Sequence, residues 1–86
     1  MVKVIWSKRA SKHLLKIDRR YQNTIYQKVG ELVAFPLVTL DIKKLQGSEN
    51  QYRLRVGDYR VLFELIYGEP VVLEIKEVAR RTSSTY

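Results

Sequence analysis

The sequence predicts an α+β domain with the element order β-α-α-β-β-β. A mostly antiparallel sheet carries a helical hairpin on one face. Three observations predict it. Apolar residues recur at helical spacing through the first third of the chain. They switch to strict alternation from Tyr52 onward. Glycine-bearing turn signals then divide the second half into short segments.

Residues 2–6 (Val-Lys-Val-Ile-Trp) are β-branched and weakly alternating, and read as a first strand. Ser7 is a good N-cap, and Ala10, Leu14 and Ile17 follow at helical spacing. Lys8, Arg9, Lys12 and Lys16 lie outside that stripe. This helix is expected to end near Asp18, which caps a second one. There Tyr21, Ile25, Val29, Leu32 and Val33 form the apolar stripe, Gly30 weakens the helix and Pro36 stops it. Residues 37–50 are mixed and close on the turn cluster Gly47-Ser48-Glu49-Asn50.

Tyr52 to Val56 alternates cleanly, and Gly57-Asp58 signals a two-residue type II′ turn into a strand from Tyr59 to Tyr67. A two-residue loop fixes register. Val56 then faces Tyr59, Arg55 faces Arg60, Leu54 faces Val61 and Arg53 faces Leu62. Tyr52, Leu54, Val56, Tyr59, Val61 and Phe63 share the core face, and Arg53, Arg55 and Arg60 share the other. The last strand runs from Val71 to Val78. A three-residue loop, Gly68-Glu69-Pro70, puts Ile75 opposite Phe63 and Leu73 opposite Leu65, whereas a two-residue loop buries Glu74 there. The former buries hydrocarbon and keeps proline in a turn. Residues 80–86 form a polar tail.

At 86 residues the chain has room for one small domain, residues 1–86. Such a domain buries only about 60% of the surface its unfolded chain exposes, so a partner that binds the folded form adds to its stability. The absence of cysteine excludes a disulfide scaffold, a thiolate metal site and a cysteine nucleophile. A single histidine, His13, excludes a two-histidine metal site and a histidine acid–base pair, and it is expected at the surface. No metal or cofactor is implied. No apolar run approaches the ~20 residues of a membrane span, and the N-terminus is not a signal peptide, so a cytoplasmic protein without a membrane partner is expected.

Sixteen basic residues against nine acidic ones give a net charge of +7, a field that attracts RNA, DNA or an acidic protein. Three arginines on one sheet face, with only Glu64 near them, form a poor scaffold, because facing like charges repel. They suit an anion, since arginine forks match phosphate oxygens in pairs. Arg80 and Arg81 leave the last strand and are expected to reach the same face. Tyr86 offers an aromatic surface for a base.

The stretches Lys44-Leu45-Gln46-Gly47, Tyr52-Arg53-Leu54-Arg55-Val56-Gly57-Asp58-Tyr59-Arg60-Val61-Leu62-Phe63 and Val78-Ala79-Arg80-Arg81 resemble the RelE/ParE toxin superfamily of bacterial type II toxin–antitoxin systems. The likeness extends over nearly the whole chain and is nearest to the RelE-like branch. It implies a toxin held inactive by a cognate acidic antitoxin, cutting mRNA in the ribosomal A site as an endoribonuclease, with operator DNA bound only through the antitoxin. The ParE branch, which poisons DNA gyrase without chemistry of its own, is the alternative. By the same likeness Arg55, Arg60, Arg81 and Tyr86 are the catalytic set, while Arg53, Lys44 and Arg80 bind RNA phosphate. Arg60 matches the residue that stabilises the phosphorane, Arg81 the one assigned to the leaving group, and Tyr86 the one that stacks on the base. Arg53 and Arg55 stand where RelE-like toxins often have lysines. Arginine stays protonated above pH ~12 and is a poor base, so Arg55 departs from the family pattern at the step that removes the 2′ proton.

Overall fold

The computed structural model describes residues 2–80. Its first strand, β1 (Lys3–Trp6), ends at Ser7, whose hydroxyl accepts from the Ala10 amide at 3.0 Å and starts α1 (Lys8–Leu15). That contact satisfies one of the amides a helix start leaves free. α1 is shorter than expected and ends before Asp18. The Gln22 amide donates to the Ile17 carbonyl at 2.6 Å just beyond its end. Asp18 caps α2 (Arg19–Gly30) as expected, accepting from the Arg20 amide at 2.9 Å. After Gly30 the helix tightens into a 3-10 turn, Glu31–Ala34, which stops before Pro36. Ala10, Ile25, Val29 and Leu32 are buried, but Tyr21 and Val33, expected in the apolar stripe, are exposed.

Five strands form one sheet in the order β1-β5-β4-β3-β2. β3 (Gln51–Val56) and β4 (Tyr59–Ile66) pair in the expected register, Val56 opposite Tyr59 and Arg55 opposite Arg60. Gly57 alone takes a positive φ, +57°, in the connecting loop, which suits a type II′ turn, since type I′ needs two such residues. β5 (Val72–Arg80) sets Ile75 opposite Phe63 and Leu73 opposite Leu65, the pairing of the three-residue loop. β1 lies parallel to β5 at one edge.

Two features were not expected. A short strand, β2 (Ile42–Lys44), pairs antiparallel with β3 and forms the other edge, so the sheet has five strands rather than four. A β-bulge interrupts the β4–β5 ladder: Phe63 faces Ile75, but Leu62 faces Glu77. Lys76 is the extra residue. Everything after it changes face, because side chains alternate with period two.

The helices cover the sheet face of Leu54, Val61, Phe63, Leu73 and Ile75, all fully or nearly fully buried. Phe63 stacks on Tyr52 at 5.4 Å and meets the edge of Phe35 at 5.7 Å. The bulge adds Val78 to this core. His13 is half-buried rather than at the surface. Its Nδ1 accepts the Val78 amide at 3.2 Å, on the stretch of β5 beyond the end of β1. Among the described residues no helix is long and apolar enough to cross a membrane.

Candidate functional site

The sheet face opposite the helices is open, and its β3–β4 end is basic. Arg53 and Arg55 project there from β3, and Arg60 stands directly opposite Arg55 on β4. Arg60 and Arg55 are exposed, while the Arg53 side chain retains 15% of its accessibility. The Gly57-Asp58 turn therefore brings the three guanidinium-bearing residues together.

The edge strand completes the group. Lys43 pairs with Arg53 and shares its face, whereas Lys44 pairs with Tyr52 on the helix side. Lys44 thus lies away from the arginines, and its neighbour occupies the position expected of it. One residue before β2, Asp41 lies beside Arg55 and accepts the Arg55 backbone amide at 2.9 Å. Its carboxylate sits 3.8 Å from Arg53 Nη2 and 3.8 Å from Arg55 Nε. Both separations exceed hydrogen-bond length, so the pairing is electrostatic and leaves the guanidinium donors free. Arg53 Nη1 is buried without a hydrogen-bond partner. Arg60 pairs with no carboxylate among the described residues. Glu64, expected near the arginines, is held by Lys76 at 3.9 Å and by the Asn50 amide at 3.0 Å.

Arg80 does not join this face. The bulge sets it opposite Tyr59, on the helix side, and Ala79 takes the place opposite Arg60. Arg80 instead lines a cleft of about 540 Å³ with Lys16, Arg20, Tyr21 and Tyr59. The two tyrosine rings are 5.6 Å apart. At the rim the Asp18 carboxyl is held below its usual range, first by the backbone amide of Arg20 and then by its guanidinium. The hydrogen bond to Asp18 raises Arg20 in turn. Arg81 and Tyr86 lie outside the described residues.

Sequence reasoning missed Asp41 and Lys43 because β2 is only three residues long. It misplaced Arg80 for want of the bulge. A signal for the bulge was present: apolar spacing in β5 changes from two (Leu73, Ile75) to three (Ile75, Val78).

The sequence model of the ParE toxin of the type II toxin–antitoxin system parDE matches residues 4–83. The chain belongs to this family. Within the RelE/ParE superfamily, it is 35% identical over 46 residues to the RelE1 protein of Methanocaldococcus jannaschii, 54% of this chain and 50% of that one. Over 33 residues it is 48% identical to toxin RelE3 of the same archaeon, 38% of this chain and 36% of that one. The matched stretches thus span half or less of these curated relatives. The fold of the RelE/ParE toxin is shared with the archaeal RelE–RelB complex of Pyrococcus horikoshii OT3, at a TM-score of 0.77 and 24% identity, covering 95% of this chain and 97% of that one. The RelB–RelE antitoxin–toxin complex of Methanococcus jannaschii gives 0.70 and 28%, covering 94% of each chain.

Proposed function

We propose that this RelE/ParE-family chain is the toxin of a type II pair, that it cuts mRNA in the ribosomal A site, and that an acidic antitoxin holds it inactive. One observation carries the reading: Arg53, Arg55 and Arg60 share an open sheet face, and among the described carboxylates Asp41 alone pairs with any of them. Cleavage by a neighbouring 2′-hydroxyl needs the 2′ proton removed, the charge on the pentacoordinate phosphorus stabilised and the 5′ oxygen protonated. Arg55 suits the first approach of a phosphate, by paired N–H contacts to its oxygens, while the largely buried Arg53 adds its charge beneath. Arg60, exposed and without a carboxylate, suits the charge that grows in the transition state. Lys43 takes the phosphate-steering role first given to Lys44. Arg80 lies on the opposite side of the sheet and is left out of the phosphate group. The leaving-group and base-stacking roles of Arg81 and Tyr86 rest on the family likeness alone.

The antitoxin reading is supported by relatives solved as RelE–RelB complexes. An acidic, partly disordered tail that folds on binding would neutralise Arg53, Arg55 and Arg60. Operator DNA would be bound only through that partner, and work on translating ribosomes would be cytoplasmic. The test is to map RNA ends after brief induction, with translation running and with it blocked. Cuts at codon positions that vanish when translation stops support the proposal, and intact transcripts refute it.

A second reading, gyrase poisoning, has its own support. The matching family is described by its ParE toxin, and arginines replace the lysines that RelE-like toxins often carry. Gyrase-linked DNA breaks with intact mRNA would select it.

A further inference from the structure

The arginine face, read as a nuclease site, lacks a proton acceptor among its cations. Arg53, Arg55, Arg60 and Lys43 carry positive charge, and arginine does not give up its proton at any pH where RNA survives. Glu64 and Glu74 are held by Lys76 at 3.9 and 3.3 Å, toward the other end of the ladder. Glu77, opposite Leu62 on the same face, is held by Arg9 at 3.2 Å, and Asp58 sits in the turn, so the carboxylate standing beside the arginines is Asp41.

Its setting suits chemistry better than support. A carboxylate placed to stabilise Arg53 would bond the buried Nη1, yet that atom has no partner. Asp41 instead stands off at 3.8 Å from both arginines, with its side chain 55% exposed. Separations of this kind at such exposure add little to stability. The backbone does fix the residue, because the Arg55 amide donates to its carbonyl at 2.9 Å. The carboxylate oxygens stay open to solvent while the main chain is held in place. Two guanidinium groups flank the spot where a phosphate would lie, and one unblocked acceptor lies beside them.

We propose, resting on the nuclease reading above, that Asp41 is the general base that takes the proton from the attacking 2′-hydroxyl. The O2′–P bond forms as that proton moves to the carboxylate, and the P–O5′ bond breaks. The leaving 5′ oxygen takes a proton from water, and Asp41 later returns its own to solvent. The products are a 2′,3′-cyclic phosphate and a 5′-hydroxyl, with no net proton change. The arginines place the phosphate and balance its charge. Asp41 then does the step that lysine is placed to do in toxins where lysine occupies the Arg55 position.

The experiment measures single-turnover cutting of ribosome-bound mRNA by the wild-type chain, Asp41→Asn and Asp41→Glu. Binding to the same programmed ribosomes and thermal melting are followed in parallel. Asp41→Asn keeps the size and polarity of the side chain and removes the proton acceptor. It should cut about 10²- to 10⁴-fold more slowly, the usual contribution of a general base. Ribosome binding should stay within about threefold, since the cations that grip phosphate are untouched. Asp41→Glu should retain most of the cutting. On the acid side the wild-type rate should rise with pH, and that slope should be absent in Asp41→Asn. The charged groups facing Asp41 are Arg53 and Arg55 on β3 and Lys43 on its own edge. Cutting by Asp41→Asn at the wild-type rate overturns the proposal. So does a loss matched by weaker binding with the pH slope intact, which would make Asp41 a positioning residue. If the wild-type chain cuts nothing on active ribosomes, the nuclease reading fails instead, and the two failures are told apart by that control.

Discussion

Replacing Arg60 with alanine separates the site from the scaffold. Arg60 directly opposes Arg55 in the β3–β4 ladder, and facing like charges cost from a few tenths to about 1 kcal/mol. Asp41 relieves Arg55 from the other side, and no described carboxylate pairs with Arg60. Truncation therefore removes a repulsion without breaking an ion pair. Alanine's weaker strand preference offsets part of that gain, on a scale spanning about 1 kcal/mol. The net change should lie within about 0.5 kcal/mol of zero, or about 4 °C in Tm for a domain of this size. Cutting should fall about 10²- to 10³-fold, the usual loss when one preorganised donor to developing charge is removed. Thermal and urea melts by circular dichroism give the first quantity, and single-turnover cleavage on programmed ribosomes gives the second. Raising salt to about 1 M should stabilise the wild type relative to the variant, because screening removes the repulsion only where it exists. A Tm lower by more than about 10 °C would show that Arg60 is a strut, and undiminished cutting would show that it is a bystander. Either result refutes the reasoning.

Three further outcomes follow from the scaffold. Phe63→Ala removes a buried ring stacked on Tyr52 and edge-on to Phe35, and should lower unfolding free energy by about 3–5 kcal/mol, read as a lower urea midpoint. His13→Ala strands the Val78 amide beside α1 and should cost about 1–3 kcal/mol, with faster hydrogen exchange at Val78 reporting the lost acceptor. Asp18 has a folded pKa below its unfolded value of about 3.9, so its contribution is present above that pH and is lost as pH falls through the folded value. Asp18→Ala should be less stable than the wild type at neutral pH, and an acid melt series should show the two converging below about pH 3.9.

The hairpin was legible in the sequence because short-range rules fix it. A two-residue loop with glycine first allows one register, and that register sorts Leu54 and Val61 from Arg55 and Arg60. The same logic chose the loop that sets Ile75 against Phe63. What escaped depends on contacts distant in sequence. β2 is three residues long and is a strand because β3 offers it an edge, so no local pattern marked Lys43 rather than Lys44. The phase of Arg80 depends on one added residue, Lys76, placed where Val78 must reach the core. Asp41 precedes a strand too brief to announce which way it faces. His13, among lysines on α1, looked solvent-bound, and only the flank of β5 that β1 leaves unpaired gave it a task. Arg81 and Tyr86, expected in the site from the family likeness, lie outside the described residues.

The parallel seam between β1 and β5 also constrains the order in which the molecule is completed. Lys3 and Val72 are neighbours in the sheet but 69 positions apart along the polypeptide. During synthesis β1 emerges well before its partner and waits for it until the residues of β5 have been made. The β3–β4 hairpin, by contrast, has its pairing within a dozen or so residues and is free to form sooner. Closure of the seam thus follows the hairpin, and a nascent chain stopped short of residue 72 lacks the strand that joins β1 to the rest of the sheet.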